Sequence, residues 1–373
     1  MTDTSKSNIL AKARLAVYAP HEFGKTSKTA EGVIRYGSNP IACVIDPSQK
    51  GRSIADIVKI DCPAPIVGSI AEARLLSPSP QALLLGTAWA GGSLPQSWLD
   101  DIREAIKSGW HIINGLHDFL GENAEIAALA QKHGVELLDV RSTPKSLPVA
   151  SRRVMGLPQS KAVILTVGND CSVGKMTASL ELHRLALNQG IRSAFVATGQ
   201  TGIMIDGGQG ISIDRVIGDF MAGATEMMVI DKAKEADLIF VEGQGSLAHP
   251  GFSGVTMALL HGSCPHGMIL CLRASQTKIK GTDFDLSPLP RLIESYEQMA
   301  AYQRPARVLG IAVNTRDLDD MAAADAIARI QARQDCLRPI RSDRKPADNY
   351  CLTRFCQYCM AHWQKPKQKE HTN

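Results

Sequence analysis

The chain has 373 residues, 44% hydrophobic, 21% charged and 5% aromatic, which is enough for two domains that each bury a core without disulfides or a structural metal. Lys plus Arg total 41 against 37 Asp plus Glu, a formal charge of +4. That balance is too mild for a nucleic-acid partner, and the scarcity of aromatic rings argues against base or sugar stacking.

In chain order, short apolar runs fall at residues 15–19, 41–45, 66–70, 82–86, 111–114 and 135–139, with amphipathic helical patterns at 99–107 and 124–133 between the later ones. A segment rich in Pro, Ser and Arg follows from about residue 142 to 160. The pattern then restarts with runs at 162–167, 193–197, 238–241, 268–272 and 308–313, and helices at 174–188, 219–234, 290–302 and 322–332. Strands apolar throughout, separated by helices, read as parallel sheets covered on both faces. The expected fold class is α/β with two tandem parallel-sheet domains, Rossmann-like and then P-loop NTPase-like. The expected boundaries are 1–145 for the first domain, 146–160 for a linker, 161–335 for the second domain and 336–373 for an atypical basic, Cys-containing tail.

No apolar run approaches the roughly 18 residues of a spanning helix, and residues 1–12 are polar, without the apolar centre of a signal peptide. Nine cysteines lack the regular spacing of a secreted disulfide framework. The expectation is a cytoplasmic protein with no membrane or nucleic-acid partner, acting on a small molecule. Whether it forms a homo-oligomer is not readable from the residues.

The strongest chemical signal is the run 162–167 followed by Gly168-Asn169-Asp170-Cys171-Ser172-Val173-Gly174-Lys175-Met176-Thr177 and a helix. In such a loop backbone N–H groups converge on an anion, the helix dipole adds partial positive charge, and Lys175 adds a full one. The loop is one residue longer than G-x-x-x-x-G-K-[ST], and its length and Asp170 resemble the loop of dethiobiotin synthetase. A nucleotide-hydrolysing loop places Ser or Thr directly after the Lys as a Mg²⁺ ligand. Met176 stands there instead, and Thr177 is about 100° further round the helix. Phosphate binding survives that change, while metal-assisted phosphoryl transfer is put in doubt.

A second motif is Leu238-Ile-Phe-Val-Glu242-Gly-Gln244-Gly-Ser246-Leu-Ala-His249-Pro250-Gly251. Glu242 ends a strand like a Walker-B acid, and ligands of open α/β sheets bind beyond the carboxyl ends of the strands. Gly243 and Gly245 would let the backbone approach a ligand. His249 reads equally as a functional group or as a brace for its loop, and Ser246 and Ser253 suit local turn hydrogen bonds. Thr198-Gly199-Gln200-Thr201-Gly202 and the cations Arg273, Lys278 and Lys280 also follow strands. For the first group a plain βα turn, and for Lys280 a solvated charge, are the competing readings.

These motifs together resemble a bacterial family described as a domain of unknown function. Gly254-Val-Thr-Met-Ala-Leu-Leu-His-Gly262 and Lys28-Thr-Ala-Glu-Gly-Val-Ile-Arg35 extend the resemblance, which runs from about residue 12 to 334. Members pair an N-terminal Rossmann-like domain with a C-terminal P-loop domain, and the associated activity is N-acetylation of D-glutamate by acetyl-CoA, upstream of an epimerase acting on the product. The resemblance implies acetyl-CoA as cosubstrate, its phosphates held by residues 168–177. Acyl transfer to an amine then needs a base and oxyanion donors. Glu242, His249 and Asp170 are the candidates for the base, and Thr201, Ser246 or nearby glycine N–H groups for the oxyanion. Arg273, Lys278, Lys25 and Lys28, with Gln200 and Gln244, are available to the amino-acid substrate.

Two other classes compete: an ATP- and Mg²⁺-dependent ligase or kinase like dethiobiotin synthetase, and a non-catalytic nucleotide sensor. A dehydrogenase is weaker, because the first strand leads into His21-Glu22-Phe23-Gly24-Lys25 rather than G-x-G-x-x-G. No metal site is expected. Cys351, Cys356, Cys359 and His362 have spacing that could ligate zinc, yet residues 350–363 also read as a short helix with Cys356 and Cys359 on one face.

Overall fold

The computed structural model describes residues 4–87 and 94–332, and it shows the expected α/β architecture with two separate parallel sheets. The tail cysteines, His362 and the tail boundary at 336 lie outside the described residues. The chain divides into two compact units, the first comprising Met1–Ser146 and Ala197–Val216, the second beginning at Leu147, leaving after Val196 and resuming at Ile217.

The first unit carries β1 (Leu15–Tyr18), β2 (Ile41–Ile45), β3 (Ile66–Val67), β4 (Ala82–Leu85), β5 (His111–Asn114) and β6 (Leu137–Asp139) in the order β3-β2-β1-β4-β5-β6. That is the order of a dinucleotide-binding Rossmann sheet. Its helices are α1 (Thr4–Lys12), α2 (Lys28–Tyr36), α3 (Ile54–Val58), α4 (Ile70–Arg74), α5 (Leu99–Lys107) and α6 (Ala124–His133). Alternate residues of β1 serve opposite faces: Ala16 and Tyr18 pack with Trp98, Ile102 and Ile106, whereas Leu15 and Val17 pack with Phe23, Val33 and Ile54. Burial on both faces explains the unbroken apolar runs.

The expected strand at 66–70 stops after Val67. Ser69 accepts the N–H of Glu72 at 3.2 Å and Glu72 accepts the N–H of Gly68 at 3.0 Å. This reciprocal cap starts α4 where the apolar count alone extends the strand. Asp46, just after β2, accepts the N–H groups of His21 and Phe23 at 3.0 Å each. An acid near that point binds the ribose in a dinucleotide fold; here it is fully buried and holds the protein's own loop.

The second unit carries β7 (Ala162–Gly168), β8 (Ser193–Val196), β9 (Leu238–Val241), β10 (Gly267–Arg273) and β11 (Arg307–Asn314), ordered β11-β10-β7-β9-β8. α7 (Lys175–Asn188) follows β7. After β8 the chain enters the first unit to form α8 (Gln200–Ile205), then returns for α9 (Gly218–Lys232), α10 (Ser253–Ser263), α11 (Leu289–Ala301) and α12 (Asp320–Ala332). The excursion is tied down by Arg141, which donates to Gly115 O at 2.7 Å, to Ser212 at 3.3 Å and to Asp214. The connections after β7 and β10, neighbouring strands, leave toward opposite edges, so a crevice opens between their loops. Among the described residues no helix is long and apolar enough to cross a membrane.

The Pro-rich segment expected as a linker is packed down. Glu226 of α9 is buried and accepts Ser151 N at 3.2 Å, Arg153 N at 2.5 Å and Arg153 Nε at 3.0 Å. At Gly223 a methyl group would lie 1.8 Å from the carbonyl oxygen of Pro148, so the two backbones touch. Gly223→Ala is expected to cost about 1–3 kcal/mol and to expose residues 148–156 to proteolysis. A urea midpoint and a protease time course equal to wild type would contradict this packing.

Candidate functional site

The loop 168–174 opens directly from the buried end of β7, and Gly174 caps α7 at φ +105°, a conformation that a side chain strains. Ser172 is also left-handed, at φ +58°. Successive N–H groups in such mixed handedness form an anion-binding nest. Lys175 is buried, and its Nζ donates to the carbonyl of Asp170 at 2.7 Å, so the cation rests across the mouth of its own loop. Met176 and Thr177 lie half-buried in the first turn of α7.

Asp170 is completely buried. Its Oδ1 accepts the N–H of Cys171 at 2.6 Å, and its Oδ2 accepts Lys280 N at 2.6 Å and the side-chain amide of Gln276. The carboxylate thus clasps the phosphate loop to the loop after β10. Tyr296 of α11 makes a second tie: its hydroxyl donates to Gly168 O at 2.7 Å and accepts Leu247 N at 3.2 Å. Burial holds the Tyr296 pKa above the usual tyrosine range, so it stays a neutral donor. Beneath the loop, burial pushes Cys271 up to about 12.

Glu242 is buried and directly follows β9. A methyl group at Gly243 would lie 1.7 Å from Thr166 O and 3.1 Å from Lys175 Cδ, and one at Gly245 would lie 2.2 Å from Phe252 O. The backbones these glycines admit therefore belong to the protein itself. Ser246 is buried and accepts Ala248 N at 3.3 Å, a turn bond, while Gln244 O accepts the Thr256 hydroxyl at 2.8 Å.

His249 accepts Gly251 N at Nδ1 (3.1 Å), and its Nε2 lies 3.2 Å from Lys280 O. Together these place the ring proton on Nε2. Asp170, Cys171 and His249 bring one donor atom each within 4.8 Å of one another, with His249 Nε2 4.0 Å from Asp170 Oδ1. A metal at Nε2 needs the ring proton on Nδ1, where the Gly251 N–H already points. As it stands, His249 braces its loop through Gly251 and Lys280 and makes no hydrogen bond to Asp170.

The other candidate residues are placed as follows. Arg273 is paired with Asp317 through Nε at 2.5 Å and a terminal nitrogen at 2.8 Å, which holds the Asp317 carboxyl below the usual range. Lys278 is exposed, 3.8 Å from Asp283. Gln200, Thr201, Lys25 and Lys28 belong to the first unit: Thr201 shares a 2.9 Å hydroxyl contact with Thr29, Gln200 packs on Gly115, Lys25 Nζ reaches His21 O at 3.0 Å and Lys28 opens α2. The sequence reading missed Tyr296, Gln276 and Thr166, whose hydroxyl accepts Gly243 N at 2.9 Å. Thr166 lies inside the apolar run of β7 and reads as one more core position, while Gln276 and Tyr296 stand 106 and 128 residues from their partners Asp170 and Gly168, with no short motif to mark them.

Family comparison matches residues 47–143 to the DUF1611 N-terminal Rossmann-like domain and residues 152–345 to the DUF1611 P-loop domain, both described as domains of unknown function. The chain is 39% identical over 277 residues to a D-glutamate N-acetyltransferase of Pseudoalteromonas sp., covering 73% of this chain and 81% of that protein. It is 38% identical over 256 residues to a D-glutamate N-acetyltransferase of Tritonibacter scottomollicae, covering 68% and 75%. A crystal structure of a DUF1611 family protein from Anabaena variabilis is similar with a TM-score of 0.81 and 40% identity, covering 87% of this chain and 94% of that one.

Tyr296→Phe deletes the hydroxyl that ties both loops. It is expected to lower stability by about 1–3 kcal/mol and to weaken binding of phosphate ligands. An unchanged urea midpoint with unchanged affinity for ADP would show that the tie does not shape the loop.

Proposed function

This chain belongs to the DUF1611 family, and on that footing we propose that it transfers the acetyl group of acetyl-CoA to the amine of D-glutamate, with residues 168–177 anchoring the coenzyme's phosphates. The observation that carries the reading is an anion nest that keeps its buried Lys175 but has Met176 where a Mg²⁺-ligating hydroxyl stands in a nucleotide-hydrolysing loop. Coenzyme A offers a diphosphate to such a nest and asks for no phosphoryl chemistry. The names of the two acetyltransferase relatives supply the reaction and the acceptor. The five described cysteines, Cys43, Cys62, Cys171, Cys264 and Cys271, are all free, which suits a reducing cytoplasm.

Of the three residues considered for the base, Asp170 has both oxygens committed to donors and His249 has both nitrogens engaged. Glu242, the third, is buried just after β9, next to Gly243 at the P-loop end of the sheet.

The test is a mass-spectrometric assay of the purified protein with acetyl-CoA in EDTA, offering D-glutamate and L-glutamate in parallel. The expected result is N-acetylglutamate from the D isomer without added metal. No acetylation of either isomer, with ATP turnover in Mg²⁺, would overturn the reading in favour of a ligase or kinase. Lys175→Ala removes one charge-assisted phosphate contact and is expected to raise KM for acetyl-CoA about tenfold or more, with kcat much less affected. An unchanged KM would contradict the anchoring role.

A further inference from the structure

A groove of about 510 Å³ runs between α9 and α10, walled by Gly218, Met221 and Ala222 on one side and by Gly254, Ala258 and His261 on the other. Its size falls in the range of small-molecule sites. Among the described residues lining it, His261 is the one titratable side chain. A methyl group at Gly218 or Gly254 would meet no protein atom within 4 Å. Neither glycine is therefore needed for internal packing, and both keep the wall bare.

The groove begins where the phosphate site ends. Gly251, which also lines it, donates to His249, and His249 stands 4.0 Å from Asp170 of the phosphate loop. At this end α9 and α10 start at Ile217 and Phe252, N-cap residues without a side-chain cap, 72% and 51% exposed. The backbone takes part of each first turn, Ser253 N donating to His249 O at 3.1 Å and Phe220 N to Ile217 O at 2.9 Å, and the other N–H groups that precede the intrahelical bonds are the donors a ligand's carbonyls would meet. From Gly254 to His261 the wall extends about 10 Å along the helix.

His261 lies at the far end with one nitrogen committed. Its Nε2 is 3.1 Å from the carbonyl of Met299 on α11, which makes Nε2 the protonated nitrogen. Nδ1 has no hydrogen-bond partner among the described residues and so carries a lone pair. A ring held in one tautomer by a carbonyl, with the other nitrogen open, is the arrangement of a general base.

Resting on the acetyl-CoA reading above, we propose that this groove receives the acyl-pantetheine arm of the donor, and that His261 Nδ1 takes the proton of the acceptor ammonium. The arm is a thin chain with amide carbonyls, and it places the thioester well away from the diphosphate. A base at the phosphate end, such as Glu242, is at the wrong end of that arm. His261 takes one ammonium proton and passes it to solvent. The freed amine lone pair forms a C–N bond with the thioester carbon. As the tetrahedral adduct collapses the C–S bond breaks, and the departing thiolate takes the second amine proton to leave as coenzyme A thiol.

Gly254→Leu fills the groove at a position with room for a side chain. Calorimetric titration with acetyl-CoA and with ADP, which lacks the arm, is expected to show acetyl-CoA affinity about tenfold or more weaker in the variant and ADP affinity unchanged. His261→Ala is expected to lower kcat by about 10²–10⁴ at unchanged acetyl-CoA affinity, with partial rescue by added imidazole, which a merely structural role would not give. Wild type that fails to bind acetyl-CoA would overturn the acetyl-CoA reading itself. Wild type that binds it while Gly254→Leu binds it equally well would overturn the groove. Dissociation of an oligomer by Gly254→Leu in sedimentation, with acetyl-CoA affinity kept, would overturn it in favour of a second copy of the chain. Full turnover by His261→Ala would remove the base.

Discussion

One buried carboxylate holds the P-loop and its neighbouring loops in shape. Asp170 has no contact with solvent, and a polar side chain in that position needs its oxygens supplied with hydrogen-bond partners. The donors are Cys171 N, Lys280 N and the Gln276 amide, drawn from the two loops that diverge at the switch point of the sheet. The same residue's carbonyl holds Lys175, and His249 closes the cluster from the loop after β9. Three strand-end loops therefore converge on one side chain. Both of its oxygens are committed to building that clasp.

The geometry separates two tasks that the sequence motifs place together. Residues near the loop are occupied with one another: Gly243 and Gly245 admit the protein's own backbone, Ser246 closes a turn, Arg273 is paired with Asp317. This is the condition of a preorganised anion site, in which donors are fixed before the ligand arrives. Open chemistry lies elsewhere, along the bare wall between α9 and α10. A donor with a long arm suits such a division, since its phosphates can be gripped at one end while its thioester reacts at the other.

Most of the fold was legible because parallel strands buried on both faces leave unbroken apolar runs. β2, β5 and β9 fall where the apolar pattern ends them, and α5 and α6 match the helical periodicity. β3 was read too long because Ser69 and Glu72 cap a helix inside an apolar stretch. The excursion 197–216 was not legible: its Gly- and Thr-rich start looks like any βα turn, and its docking shows only in contacts far apart in sequence, Thr201 with Thr29 and Arg141 with Ser212 and Asp214. The P-loop was recognisable because its motif is a run of consecutive residues, 168–177, between a strand and a helix. Tyr296 and His261 were not, because a single side chain on a helix acquires its role from a carbonyl on another element.

The measurement that bears most directly on this account is a competition titration of the wild-type protein with coenzyme A and ADP, with Mg²⁺ and then with EDTA. A phosphate cradle that works without a metal hydroxyl predicts that coenzyme A binds with the same affinity in both conditions and displaces ADP. Nucleotide binding that requires Mg²⁺, with no competition from coenzyme A, would contradict it.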